Sequence, residues 1–122
     1  MAILYRYSTG QRVQYFSENK YSAVLAANVE DTLTVPYGNS NGTTMASTSG
    51  EWVAEIVVND ASNVWMSLNA TAVIPTTTFG STNSELIPIR KIFRKIVVAG
   101  QVLHFITDDA NTQISVKFYQ NQ

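Results

Sequence analysis

Apolar and polar positions alternate along most of this chain with a period of two. The clearest stretch is Thr112 to Tyr119, Thr-Gln-Ile-Ser-Val-Lys-Phe-Tyr, which puts Ile114, Val116 and Phe118 on one face and Gln113, Ser115 and Lys117 on the other. That is the pattern of a half-buried strand. In Asp31 to Pro36, Leu33 and Val35 face in and Thr32 and Thr34 face out, and Pro36 ends the strand or confines it to an edge. Glu51 to Val58 carries Trp52, Ala54, Ile56 and Val58 on one face and Val53 and Val57 on the other, so a central strand is predicted there. In Val64 to Leu68 the residues Val64, Met66 and Leu68 point one way, leaving Trp65, Ser67 and Asn69 on the other face. The turn cluster Asn59-Asp-Ala-Ser-Asn63 between these two runs predicts that they pair as a hairpin. Further strands are predicted at Tyr21 to Ala27 and Gln101 to Thr107, with a turn at Asp108 to Asn111.

One segment is ambiguous. In Glu85 to Val98 the residues Ile89, Ile92, Phe93 and Ile96 fall at helical spacing, but Pro88 precedes them, β-branched residues crowd them and Gly100 follows. A strand with a bend is the better reading. Tyr37 to Gly50 is too polar for a core and too long for a tight turn, and so predicts a surface loop. The Thr-rich Ala70 to Ser84, with Pro75, Phe79 and Gly80, predicts a long extended crossover. Residues 1–20 stand apart, with four aromatics and three of the eight basic residues, as an N-terminal arm or a first hairpin. Residues 21–122 then form a single domain. The expected class is all-β, a small antiparallel β-sandwich or a jelly-roll-like barrel; alternation does not encode pairing order, so an immunoglobulin-like sandwich also stays open.

Composition narrows the function. A chain of 122 residues suits one domain. Charged residues make up 14%, below the ~25% of an average soluble protein, and Ser, Thr and Asn supply the polar surface instead. The formal net charge of −1 offers no general basic field, so nucleic acid is not an expected partner. Cysteine is absent, which removes disulfides, thiolate zinc sites and thiol nucleophiles. No run approaches ~18 apolar residues and Met1 to Lys20 lacks the apolar core of a signal peptide, so neither a membrane partner nor a targeting segment is expected.

Phosphate-loop, dinucleotide, zinc-protease and nucleophile-elbow motifs are missing. The single histidine, His104, shares its strand face with Val102 and Ile106, which reads as packing before catalysis. Glu51 and Glu55 would lie on one strand face roughly 13 Å apart, too far for a glycosidase pair, and read as solvated flanks. Asp108 and Asp109 sit in a turn, where short carboxylates commonly cap the backbone; calcium is the alternative. The expectation is a non-enzyme with no cofactor and no metal. Arg90, Lys91, Arg94 and Lys95 put half of the basic residues within six positions, a basic strand edge or a protein contact. If Trp65 stands free, it could stack on a sugar with Asn63, Asn69 and Tyr37 hydrogen-bonding around it, the site of a carbohydrate-binding module.

The ordered set Leu25-Ala-Ala-Asn28, Thr32-Leu-Thr-Val-Pro36, Trp52, Val64-Trp-Met-Ser-Leu-Asn-Ala-Thr71, Ile74-Pro75, Ser84-Glu-Leu86, Pro88, Gln101-Val-Leu-His-Phe-Ile-Thr107 and Ile114-Ser-Val-Lys-Phe-Tyr119 resembles small virion proteins of tailed bacteriophages. The resemblance spans roughly Tyr21 to Tyr119 and implies a decoration or cement protein on the outside of the major capsid lattice, made in the host cytoplasm. Its implied partners are the major capsid protein and itself, as a homo-oligomer, a trimer in preference to a dimer. The heavier basic run and the aromatic arm depart from the family pattern. Expected capsid or subunit contacts are Tyr5, Tyr7, Arg12, Tyr15 and Phe16 in the arm with Arg90, Lys91, Arg94 and Lys95 in the run. A tail or fibre adsorption component is the neighbouring alternative.

Overall fold

The computed structural model describes residues 4–6, 12–14, 17, 19–37, 51–59, 62–76 and 79–120, with the backbone alone at 4–6, 12–14 and 120. Ten strands are described: β1 (Leu4–Arg6), β2 (Arg12–Gln14), β3 (Asn19–Leu25), β4 (Asp31–Thr34), β5 (Glu51–Val58), β6 (Val64–Leu68), β7 (Glu85–Leu86), β8 (Phe93–Val98), β9 (Val102–Thr107) and β10 (Thr112–Gln120). The protein is all-β, as its alternation requires. β1 and β2 form a two-stranded ladder, and the other eight make two antiparallel four-stranded sheets, β3-β10-β5-β8 and β4-β9-β6-β7. Among the described residues no helix is long and apolar enough to cross a membrane.

The pairing is nested. β6 pairs β7, β5 pairs β8, β4 pairs β9 and β3 pairs β10, so the chain from β3 onward is one long double ribbon whose tip is β6–β7. Winding that ribbon adds the pairs β10–β5 and β9–β6, which completes the two sheets. Two packed four-stranded sheets made in this way are a jelly roll.

The winding overturns the expected hairpin of β5 with β6. These strands lie in different sheets, and the Asn59–Asn63 connection carries the chain across the sandwich. Turn-forming residues permit an arch between sheets as readily as a hairpin, because either needs only a reversal of direction. The choice lies with the faces: Trp52, Ala54, Ile56 and Val58 of β5 and Val64 and Met66 of β6 all lie buried in one core, which they reach from opposite sheets. β10 adds Ile114, Val116 and Phe118, and β9 adds Leu103 and Phe105.

β5 is central, between β10 and β8, as its two apolar faces predict. β3 starts and ends about two residues earlier than expected, because Leu25 pairs with Thr112 at the first residue of β10 and Asn28 turns with φ 59°. The ambiguous segment is extended and bent: β7, a parallel bridge from Ile89 to Val58, a turn at Arg90 with φ 57°, then β8. Left-handed backbone also marks the connections at Asn69, Asn111 and Gly100, with φ of 57°, 62° and 88°. Asn and Gly tolerate that region best; Asn69, expected to share a strand face with Trp65 and Ser67, is a turn residue instead.

Candidate functional site

Strand register sorts the surface residues. On the outer face of the β3-β10-β5-β8 sheet, Arg94, Glu55, Lys117 and Lys20 stand in one row across four strands. Arg94 Nε lies 2.9 Å from Glu55 Oε2, and Glu55 is only 5% exposed. Glu55 is therefore a buried, ion-paired carboxylate and not the solvated flank that its spacing from Glu51 suggested. The next row is apolar: Ile96, Val53 and Tyr119. Tyr119 is buried, and this burial, with the Glu55 carboxylate second, pushes its phenol above the ordinary value against an opposing hydrogen bond at Ser17. Ile96, by contrast, is 64% exposed.

The basic run divides. Arg94 lies on the outer face, while Lys95 points to the gap between the sheets, where its Nζ is 2.9 Å from Glu85 Oε2 and 5.0 Å from the centre of the Phe93 ring. Arg90 donates from Nε to the Asn59 carbonyl at 3.3 Å. Lys91 is exposed and, among the described residues, makes no ion pair. β8 is an edge strand, so the run does supply a charged edge.

The Ala70 to Ser84 stretch is not the expected crossover, since it joins β6 to its paired neighbour β7, and it partly roofs the outer face of the second sheet. Ser67, opposite His104, is buried and donates from Oγ to the Ala70 carbonyl. His104 Nδ1 lies 3.0 Å from Glu30 Oε1, an ion-pair distance with poor alignment for a hydrogen bond. Glu30 Oε2 accepts from the Ala72 N–H at 2.7 Å. The contact with His104, then the bond from Ala72, hold the Glu30 carboxyl below its ordinary value against the opposing effect of burial. Through Glu30, His104 is linked to the β6–β7 connection at Ala72.

The four sugar-site candidates do not converge. Trp65 is half-buried, in register between Ile106 and Leu86. Asn63 and Asn69 lie six positions apart at opposite ends of β6, roughly 20 Å by strand rise. Asn69 Oδ1 already accepts from the Val102 N–H at 2.8 Å. Tyr37 is 77% exposed but stands beside Gly100 in the β8–β9 turn. In the arm, the backbone sets Tyr5 opposite Val13 and Arg12 opposite Arg6; Tyr7, Tyr15 and Phe16 lie outside the described residues. Asp108 and Asp109 are exposed in a turn held by hydroxyls, with Asp109 N donating to Thr107 Oγ1 at 3.2 Å and Thr112 Oγ1 donating to the Asp109 carbonyl at 3.0 Å. Among the described residues no group of three His, Cys, Asp or Glu side chains is placed to hold a metal ion.

Two features escaped the sequence reading. Phe79 stands wholly in solvent, and a groove of about 190 Å³ opens between β3 and β4 over Leu25, Phe105, Ile114 and Val116. Phe79 was visible as a lone aromatic in a Thr-rich stretch; the groove has no local signal, because it is made by two strands ending two different sheets. No family model, curated protein or solved structure matches the chain.

Proposed function

We propose that the chain is a non-enzymatic virion structural protein, a decoration or cement protein that attaches as a homo-oligomer to the outside of a tailed-phage capsid lattice. The observation that carries an attachment role is apolar surface left over after the core is closed. Ile92, Ile96 and Val98, on or beside the edge strand β8, are 53%, 64% and 40% exposed and Phe79 is 110% exposed, on a sandwich whose Trp52, Ile56 and Phe118 are fully buried. Exposed apolar groups of this kind favour contact with other protein surfaces. The resemblance of Tyr21 to Tyr119 to small phage virion proteins supplies the kind of surface, and jelly rolls are a fold that capsid and lectin domains use, although fold alone assigns no function. Weak contacts repeated on a symmetric lattice add through multivalency, which favours a symmetric oligomer, a trimer in our reading.

The test is mass by light scattering, alone and after mixing with emptied capsids of the parent virion. A defined oligomer that co-sediments in stoichiometric amounts is the expected result. A monomer that leaves the capsids bare at high protein concentration overturns the proposal.

A further inference from the structure

The β3–β4 groove is open because each of these strands ends its sheet. Tyr21 and Ala23 are in register with the buried Val116 and Ile114 and so belong to the inward face of β3, yet both are exposed. The floor beneath them is core: Leu25, Phe105, Ile114 and Val116 are each 5% exposed or less. At the opposite side of the sandwich the gap between β7 and β8 is bridged by the Lys95–Glu85 ion pair. No such pair bridges β3 to β4 among the described residues, and Asp31 stands at the mouth without an ion partner.

The same chain carries a group that fits. The connection from β6 to β7 is fastened at its base, where the Val73 N–H donates to Ser84 Oγ at 2.9 Å and the Ala72 N–H to Glu30. Within the loop so closed, Phe79 is 110% exposed, and nothing lies within 4 Å of where a Cβ on Gly80 would stand. The aromatic ring is held off the body of its own molecule. Apolar cavities of about 150 Å³ take a benzene ring, so a benzyl side chain suits a groove of about 190 Å³.

We propose that a second copy of this chain seats its Phe79 in the β3–β4 groove. The contact joins unlike surfaces, so copies form a reciprocal pair, a closed ring or, where the rotation does not close, an open filament. One ring in one groove is a small contact set against the cost of association, and gains strength when the assembly closes or is templated. The inference rests on the reading of the protein as a self-associating decoration protein and supplies the contact.

The experiment compares wild type, Phe79→Ala and Ala23→Trp by sedimentation, with near-ultraviolet circular dichroism to verify folding. Phe79→Ala removes the knob from an exposed site, and Ala23→Trp fills the groove from an exposed position. Each should raise the apparent Kd for self-association by at least about tenfold, moving the mass toward the 13.5 kDa of one chain. Mixing the two variants should restore association in part, one contact per mixed pair, since Phe79→Ala retains the groove and Ala23→Trp retains the ring. Phe79→Ala at the wild-type mass, or a mixture whose apparent Kd is no lower than that of either variant alone, overturns the contact. A wild-type monomer whose groove binds anilinonaphthalene sulfonate, with binding lost in Ala23→Trp, assigns the groove to a small apolar ligand and also overturns it. Capsid binding is measured separately: an oligomer that Phe79→Ala dissolves but that ignores capsids upholds the contact and sinks the decoration reading, while a Phe79→Ala oligomer that still coats capsids does the reverse.

Discussion

Trp52 is fully buried, and its indole N–H has no hydrogen-bond partner. An unmade buried donor costs about 1–3 kcal/mol, so deleting it offsets part of the cost of a smaller ring. Trp52→Phe should therefore lose only about 1–2 kcal/mol in urea unfolding, whereas Phe118→Ala, which empties a fully buried site packed edge-on to Tyr21 with ring centres 5.8 Å apart, should lose about 3–5 kcal/mol. Equal losses would show that the indole nitrogen has a partner in solution. Glu30 makes a prediction in pH. Its carboxyl is held below the ordinary value by His104 and the Ala72 N–H, so its stabilisation is present above the ordinary glutamate pKa and is lost as pH falls through the lowered one. Glu30→Gln should be less stable than wild type near neutrality, and the two urea midpoints should converge as pH falls through the lowered carboxyl pKa. Midpoints separated by the same interval throughout would remove Glu30 from the acid response. Burial of Trp52 and Phe118 was legible from alternation; the placement of Glu30 against His104 was not, because their residues meet only when β4 lies beside β9.

Among the elements, the β8–β9 turn gives the sharpest test. Gly100 has φ 88°, and a Cβ there would press on the Tyr37 hydroxyl, the tip of a side chain that is 77% exposed. The ring can swing aside, but the backbone cannot escape its left-handed geometry, so Gly100→Ala should cost about 1–2 kcal/mol. The same loss is expected in the Tyr37→Ala background; a full rescue there would assign the cost to the clash. Turn residues were readable at Asn28, Asn111 and Gly100, since their types tolerate this backbone region, whereas Asn69, expected on a face of β6, turns with φ 57° instead. Arg90, also with positive φ, was not, and it splits the run that resembled a helix into β7 and β8. Its amide donates to the Val58 carbonyl at 3.0 Å, so a tertiary bond overrides local preference.

The nested pairing governs the molecule as a whole. β3 pairs with β10 and β4 with β9, so most of the sheet forms between distant parts of the chain. Refolding should then take on the order of milliseconds to seconds, the range of non-local β topologies; a microsecond phase carrying the full amplitude in stopped-flow or temperature-jump fluorescence would contradict it. β10 lies between β3 and β5, and removing it would strip a partner from both and uncover the floor of the core. A chain ending at Asn111 should show no cooperative thermal transition by circular dichroism.

The sequence by itself determined the all-β class, the inward face of β10, the central place of β5 and the turn at Asp108 to Asn111. Each follows from a period of two or from one residue's backbone tolerance, both of which act over a few positions. Only the tertiary structure decided that β5 and β6 face each other across the core, that Glu55 is buried against Arg94, that Asn63, Trp65 and Asn69 are spread along β6 while Tyr37 stands beside Gly100, and that the molecule has both an open groove and a free Phe79. Those depend on which strand ends which sheet, and alternation is identical for every partner a strand could choose.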